Sequence, residues 1–148
     1  MMINCESTTN AVKENDIIKT LLTNYGDPSI LPDDVRPVDV RIEAFILSNP
    51  ILLNRGTSGA SMVEIDNMWI IQRWLDRRLN FEALNFKKVN ITFPYEKMWQ
   101  IWTPQISTVN DIKFEIRRSP TPNVYASIFS NGTVLLSYRP LVQLPCRT

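Results

Sequence analysis

One stretch constrains this chain more than any other: Met68 to Phe81, which reads MWIIQRWLDRRLNF. Its first half is too apolar for a solvated loop, and Trp69 and Trp74 stand five positions apart. Side chains alternate along a β-strand, so an odd separation sends the two indoles to opposite faces of one sheet. Trp69, Ile71 and Arg73 then share one face, and Met68, Ile70, Gln72 and Trp74 share the other. One face can enter a core while the other meets a partner or a ligand. The apolar pattern reaches back to Met62, which predicts a single strand over 62–74. Beyond it, Asp76 and Arg78 mark a charged corner with a surface ion pair, and Leu79 and Phe81 take the chain back inside.

The flanking sequence supplies partners for that strand. Residues 1–13 are polar and read as a disordered N-terminal segment; 14–148 read as one domain. Ile17, Ile18, Leu21, Leu22 and Tyr25 follow helical spacing, with Asn15 or Asp16 as the cap and Gly26 as the stop. The proline-punctuated segment from Asp27-Pro28 to Pro37 can be neither helix nor central strand. From Val38 to Ile46, apolar Val38, Val40, Ile42, Ala44 and Ile46 alternate with Asp39, Arg41 and Glu43, the period of a half-buried strand. Asn49-Pro50 interrupts it, and 53–61 is glycine-containing loop. Arg117 to Asn123 is a turn-rich connector. Asn131-Gly132 between two strand-like runs predicts a hairpin over Val124–Arg139 with a type I′ turn, which needs positive φ at both central residues. Its second arm places Thr133, Leu135, Ser137 and Arg139 on one face and Val134, Leu136 and Tyr138 on the other.

Composition narrows the chemistry. At 148 residues with 44% hydrophobic residues the chain can bury a core as one domain. A net charge of +1, with no basic run longer than two residues, gives no pull on nucleic acid. No apolar run approaches a membrane span, and the start lacks the pattern of a signal peptide. The absence of histidine removes His-based triads and His metal sites, and no motif pairs a nucleophile with a base. No enzyme activity, cofactor or metal is expected. Cys5 and Cys146 could bridge each other, remain free or bond to groups outside the chain. Asn90-Ile91-Thr92 and Asn131-Gly132-Thr133 are N-glycosylation sequons.

Over residues 15 to 146 the motifs, in their order, resemble the extracellular domain of pentameric Cys-loop neurotransmitter-gated ion channels. Trp69, then Trp74-Leu75-Asp76-Arg77-Arg78-Leu79-Asn80-Phe81, carries the first similarity. Ile101-Trp102-Thr103-Pro104 resembles the signature before the first pocket loop of the principal face, departing from it at Gln105 and, further on, at Thr108 and Val109. Asn131-Gly132-Thr133-Val134-Leu135-Leu136-Ser137-Tyr138-Arg139 resembles the anion-channel form of its strand, and Cys146 matches the cysteine that opens the disulfide-closed loop, whose partner lies outside this chain.

The resemblance implies an all-β, immunoglobulin-like β-sandwich, incomplete, with one N-terminal α-helix. It implies the ligand-binding part of a channel subunit of the glycine, GABA or glutamate-gated chloride type, at the extracellular face of the plasma membrane. Other subunits would complete a pentamer, and a membrane part absent from this chain would anchor it. The agonist site lies between subunits, and this chain would supply its complementary face from Trp69, Ile71, Leu135, Ser137 and Arg139. The connection over 53–61 would face the membrane domain and transmit gating. A secreted transmitter-binding protein of the same fold, and an adhesion-type sandwich without a ligand, are the alternatives. Arginine suits a carboxylate because its fork can pair both oxygens. Members that grip glycine or glutamate carry a second arginine where this chain has Ile71, so a simple amino acid is expected to bind weakly here and an amine or larger amphipathic ligand better.

Overall fold

In the computed structural model, residues 13–54, 61–118 and 120–146 are described. Among the described residues helix α1 (Glu14–Tyr25) precedes nine strands: β1 (Arg41–Ile46), β2 (Ile51–Asn54), β3 (Ser61–Ile65), β4 (Met68–Leu75), β5 (Asn90–Phe93), β6 (Lys113–Ile116), β7 (Val124–Phe129), β8 (Thr133–Tyr138) and β9 (Pro140–Cys146). They form a five-stranded sheet in the order β1-β4-β8-β7-β5 and a four-stranded sheet in the order β2-β3-β9-β6, with every pairing antiparallel. This is the expected sandwich with its N-terminal helix. The expected disordered segment, apart from Lys13, and most of the glycine-containing loop lie outside the described residues.

Helix α1 buries Ile17, Ile18, Leu21 and Tyr25, the row its spacing predicted, and Gly26 ends it at φ +84°. Its start differs from expectation. Lys13 occupies the cap position without a side-chain hydrogen bond, and Asn15 and Asp16 fall inside the helix. Glu14 and Asp16 still favour this end, because carboxylates in a first turn oppose the helix dipole. In the connector that follows, Asp27 accepts hydrogen bonds from Ser29, and Asp33 accepts them from the amides of Val35 and Arg36. Two local turns thus replace regular structure there.

The run expected as one strand over 62–74 is two strands in different sheets, β3 and β4. Asp66-Asn67 breaks it: the Asp66 carboxylate accepts from Ser48 Oγ at 2.9 Å, and the Asn67 carbonyl accepts from the Leu47 amide at 2.8 Å. A second crossing between sheets falls at Arg139, between β8 and β9. The two crossings are tied, since Arg117 donates its amide to the Arg139 carbonyl at 3.0 Å and its guanidinium lies 3.4 Å from Asp66.

Strand β1 is shorter than expected, and its apolar row is not half-buried. Ile42 and Ile46 are exposed, because β1 is an edge strand of the larger sheet; Val38 and Val40, ahead of it, pack on the core instead. The Asn131-Gly132 hairpin forms where predicted, with a different turn. Its loop is Ser130-Asn131-Gly132, the Gly132 amide donates to the Phe129 carbonyl, and of these residues only Gly132 has positive φ, at +89°. That matches a three-residue loop closed by a left-handed glycine rather than a type I′ turn. A Cβ on Gly132 would overlap the Asp76 carbonyl oxygen, so the hairpin tip and the Asp76 corner can pack this closely only with glycine.

Candidate ligand-binding site

The pairing register decides which side chains can meet. Phe45 lies opposite Trp69 across β1 and β4, Ile71 lies opposite Ser137 across β4 and β8, and Ser137 lies opposite Tyr125 across β8 and β7. Directly opposed residues point to the same side of a sheet. The outward face therefore carries Phe45, Trp69, Ile71, Arg73, Leu135, Ser137 and Tyr125, while Ile70, Gln72, Trp74, Val134 and Tyr138 are buried on the other. The predicted parity of both strands holds. Arg139 sits one position past the β8 ladder, at the crossing between sheets, which leaves its side chain exposed.

Trp69 is held from two sides. Its Nε1 donates to Ser137 Oγ at 2.6 Å, and its ring lies 5.7 Å from that of Phe45 at 39°. The indole N–H is thereby occupied and one ring is fixed in orientation. Beside it a cavity of about 390 Å³ is lined by Trp69, Pro122, Asn123, Val124, Tyr125, Ser137, Tyr138 and Arg139. Three of the five predicted site residues, Trp69, Ser137 and Arg139, line it together. Ile71, only 8% exposed, and half-buried Leu135 share the outward face but not the cavity wall.

Sequence reading missed Tyr125, Asn123 and Phe45. The signal existed for Phe45, an aromatic on the polar parity of an otherwise alternating strand. Tyr125 could have been found by its neighbours, because Val124 and Ala126 claim the core parity and leave an aromatic facing out. Asn123 joins through its backbone, its carbonyl accepting from the Arg139 amide at 3.1 Å.

At the opposite end of β4 lies a closed polar cluster. Asp76, fully buried, accepts from the Tyr25 hydroxyl at 2.6 Å and from the Arg78 side chain at 2.9 Å through both oxygens. The expected surface ion pair is thus buried at its carboxylate. The Tyr25 oxygen accepts from the Trp102 amide at 2.8 Å, and the Arg78 guanidinium lies 4.1 Å over the Tyr25 ring. Arg78 also donates to the carbonyl of Ile30. Burial, reinforced by the bond to Asp76, pushes the Tyr25 phenol well above its ordinary range. Desolvation pulls Arg78 down, yet its bonds and charge contact with Asp76 and Tyr25 outweigh that and raise it. Trp74 packs edge-on against Trp102 at 6.0 Å, so this cluster joins α1, the end of β4 and the Ile101-Trp102 segment.

A larger cavity, about 770 Å³, opens on the core side of the same sheet, where Gln72, Tyr138, Phe114, Met98 and Trp99 line it. Gln72 Nε2 donates to the Tyr138 hydroxyl at 2.6 Å, while Gln72 Oε1 is buried without a partner among the described residues. Burial raises the Tyr138 phenol, and the bond from Gln72 opposes that shift. This cavity contains none of the predicted site residues. Thr108 and Val109, expected near the principal face, line neither of these two cavities, and Val109 is exposed. Asn90 and Asn131 are exposed, and Cys146, at the end of β9, is a free thiol among the described residues.

A two-sheet sandwich with a helix packed on the Asp76 corner and an aromatic-lined cavity on its outer face defines a ligand-binding domain. The profile of the family described as neurotransmitter-gated ion-channel ligand binding domain matches residues 14–148, and the chain belongs to that family, which is not a family of enzymes. It is 32% identical over 136 residues to the serotonin-gated chloride channel mod-1 of Caenorhabditis elegans, covering 92% of this chain and 26% of that protein. It is 28% identical over 137 residues to the acetylcholine-gated chloride channel subunit acc-2 of the same organism, covering 93% of this chain and 30% of that protein. The chain thus spans between a quarter and a third of the length of these relatives. Among solved structures it shares the fold of Capitella teleta AChBP in complex with lobeline, with a TM-score of 0.69 at 24% identity, covering 91% of this chain and 63% of that one.

Proposed function

We propose that this chain is extracellular ligand-binding sequence of a neurotransmitter-gated, chloride-type channel subunit, and that the cavity beside Trp69 is the complementary half of an agonist site between subunits. One observation carries the reading: Trp69, Ser137 and Arg139, distant in sequence, meet in a single outward-facing cavity while the core faces the other way. The cavity is open, as a half-site closed by a neighbour would be. Its aromatic wall can take an ammonium group over the ring face, worth roughly 0.5–2 kcal/mol, and its guanidinium can take an anionic group. Ile71 and Leu135 support the wall rather than touching the ligand.

The test is a concentration–response curve in cells expressing a full-length subunit that carries this sequence, with serotonin, acetylcholine, GABA and glutamate as agonists. Trp69→Ala and Arg139→Ala are each expected to shift the half-maximal concentration at least tenfold at unchanged surface expression. Unshifted curves for both variants would remove the complementary-face assignment. The extracellular placement has its own check, because an N-linked glycan needs an accessible carboxamide nitrogen. Asn131 stands at a hairpin tip with its Oδ1 accepting from the Thr133 amide, whereas the Asn90 amide donates to Ser127 Oγ at 3.2 Å. Behind a signal peptide, Asn131→Gln is expected to remove more glycan mass than Asn90→Gln; no glycan at either site would count against export.

A further inference from the structure

Within that complementary-face reading, which it rests on, we infer that Tyr125 is the second hydrogen-bond donor of the site and, with Arg139, reads a carboxylate on the ligand. Tyr125 is 49% exposed and lines the cavity with Arg139, Trp69 and Ser137. It stands directly opposite Ser137 across β7 and β8. Arg139 lies two residues beyond Ser137, so Tyr125 and Arg139 are diagonal neighbours on the outward face, a relation that spans roughly 7–8 Å. A carboxylate between them can accept from a guanidinium on one side and a phenol on the other.

Among the other lining side chains the Ser137 hydroxyl and the Asn123 carboxamide can also donate, but two positions cannot. The Trp69 indole N–H is given to Ser137 Oγ, and Ile71 is buried and has no donor to give. By contrast, neither the Tyr125 hydroxyl nor the Arg139 guanidinium has a hydrogen-bond or ion-pair partner among the described residues. An unpaired cation and an unpaired phenol facing one cavity form a donor pair for an acceptor that the protein does not itself supply. The ligand class that follows is a small amino acid whose carboxylate meets Tyr125 and Arg139 and whose ammonium end lies toward Trp69. This reverses the expectation of weak amino-acid binding, which counted only position 71 as a source for the second donor.

The experiment measures the binding of two probes, GABA and n-butylamine, which share an amine and differ by the carboxylate, to assembled channels of a full-length subunit that carries this sequence. Tyr125→Phe keeps the ring and removes the donor. It is expected to weaken GABA about tenfold, the worth of one hydrogen bond to a charged oxygen, and to leave n-butylamine unchanged. Equal weakening of both probes would make Tyr125 a wall rather than a donor, and no change in either would remove it from the site; each result overturns the inference. Trp69→Ala separates this inference from the reading beneath it. If Trp69→Ala weakens both probes while Tyr125→Phe weakens neither, the site stands and Tyr125 is not part of it. If the unaltered channel binds GABA no more tightly than n-butylamine, no carboxylate is read here and the inference fails outright.

Discussion

At the Leu75 end of β4, Asp76, Tyr25 and Arg78 spend their hydrogen-bonding capacity on one another and on the backbone of two other segments. At the Met68 end, one bond between Trp69 and Ser137 is made, and Arg139 and Tyr125 are left facing solvent. The same strand thus carries a locked end and an open one about eight residues apart. The contrast follows from burial. A polar group removed from water must be paired or it costs 1–3 kcal/mol, whereas a group at the surface can keep its capacity for a ligand. Rigidity at one end gives the other a fixed platform on which two rings and a cation keep their spacing.

Asp76→Ala should give the largest effect. It removes a fully buried carboxylate that accepts from Tyr25 and Arg78, leaving a guanidinium pressed against protein without its counter-charge. Breaking such a pair from one side typically costs about 3–5 kcal/mol. Urea unfolding of the two proteins measures it. A loss below about 1 kcal/mol would mean that water reaches the cluster, and the locked end would be no different in kind from the open one.

Tyr25→Phe should come next. It leaves Asp76 short of a donor and the Trp102 amide short of an acceptor, each costing about 1–3 kcal/mol. The hydroxyl also gives a pH signature. Its folded pKa is raised above the ordinary 10.0, so the folded state holds the phenol proton more tightly than the unfolded chain does. Its contribution is therefore complete below pH 10 and is lost as pH climbs from there toward the folded value. Alkaline unfolding should be steeper in the parent than in Tyr25→Phe. Parallel stability curves above pH 10 would show that Tyr25 is not the group being titrated.

The two ends also differ in how far they were legible in the sequence. Alternation alone set Trp69 and Trp74 on opposite faces and put Ser137 and Arg139 on one face of the hairpin arm, while the family resemblance turned Trp69 toward the ligand. The fold class followed from the strand and turn signals together with the family resemblance. What alternation could not supply was the change of sheet. Asp66-Asn67 is only two residues in an apolar run, and its effect depends on Ser48 and Arg117, which come from elsewhere in the chain. The burial of Asp76 was hidden for the same reason, because the partner that makes it tolerable is Tyr25, 51 residues away. Tyr125 was hidden by the reverse effect. Its neighbours mark it only as facing outward; the register opposite Ser137 is what brings it to the cavity.

The smallest expected effect on stability, and the finest test of the contrast, is Ser137→Ala. Like Tyr25→Phe it deletes one hydroxyl, but here with a single hydrogen bond, the 2.6 Å bond from Trp69 Nε1. Both Trp69 and Ser137 are half-buried beside an open cavity, so water can replace the lost acceptor. The stability loss should stay within about 1 kcal/mol, the net worth of an ordinary hydrogen bond. The effect should appear in binding instead. Without Ser137 the indole is held only by Phe45 on its other side, and a ligand must order the ring as it binds. Restricting one such side chain costs about 0.5–1.5 kcal/mol, so affinity for n-butylamine should fall roughly two- to tenfold while the urea midpoint barely moves. A large stability loss with unchanged affinity would place Ser137 with the locked residues and leave Trp69 rigid without it.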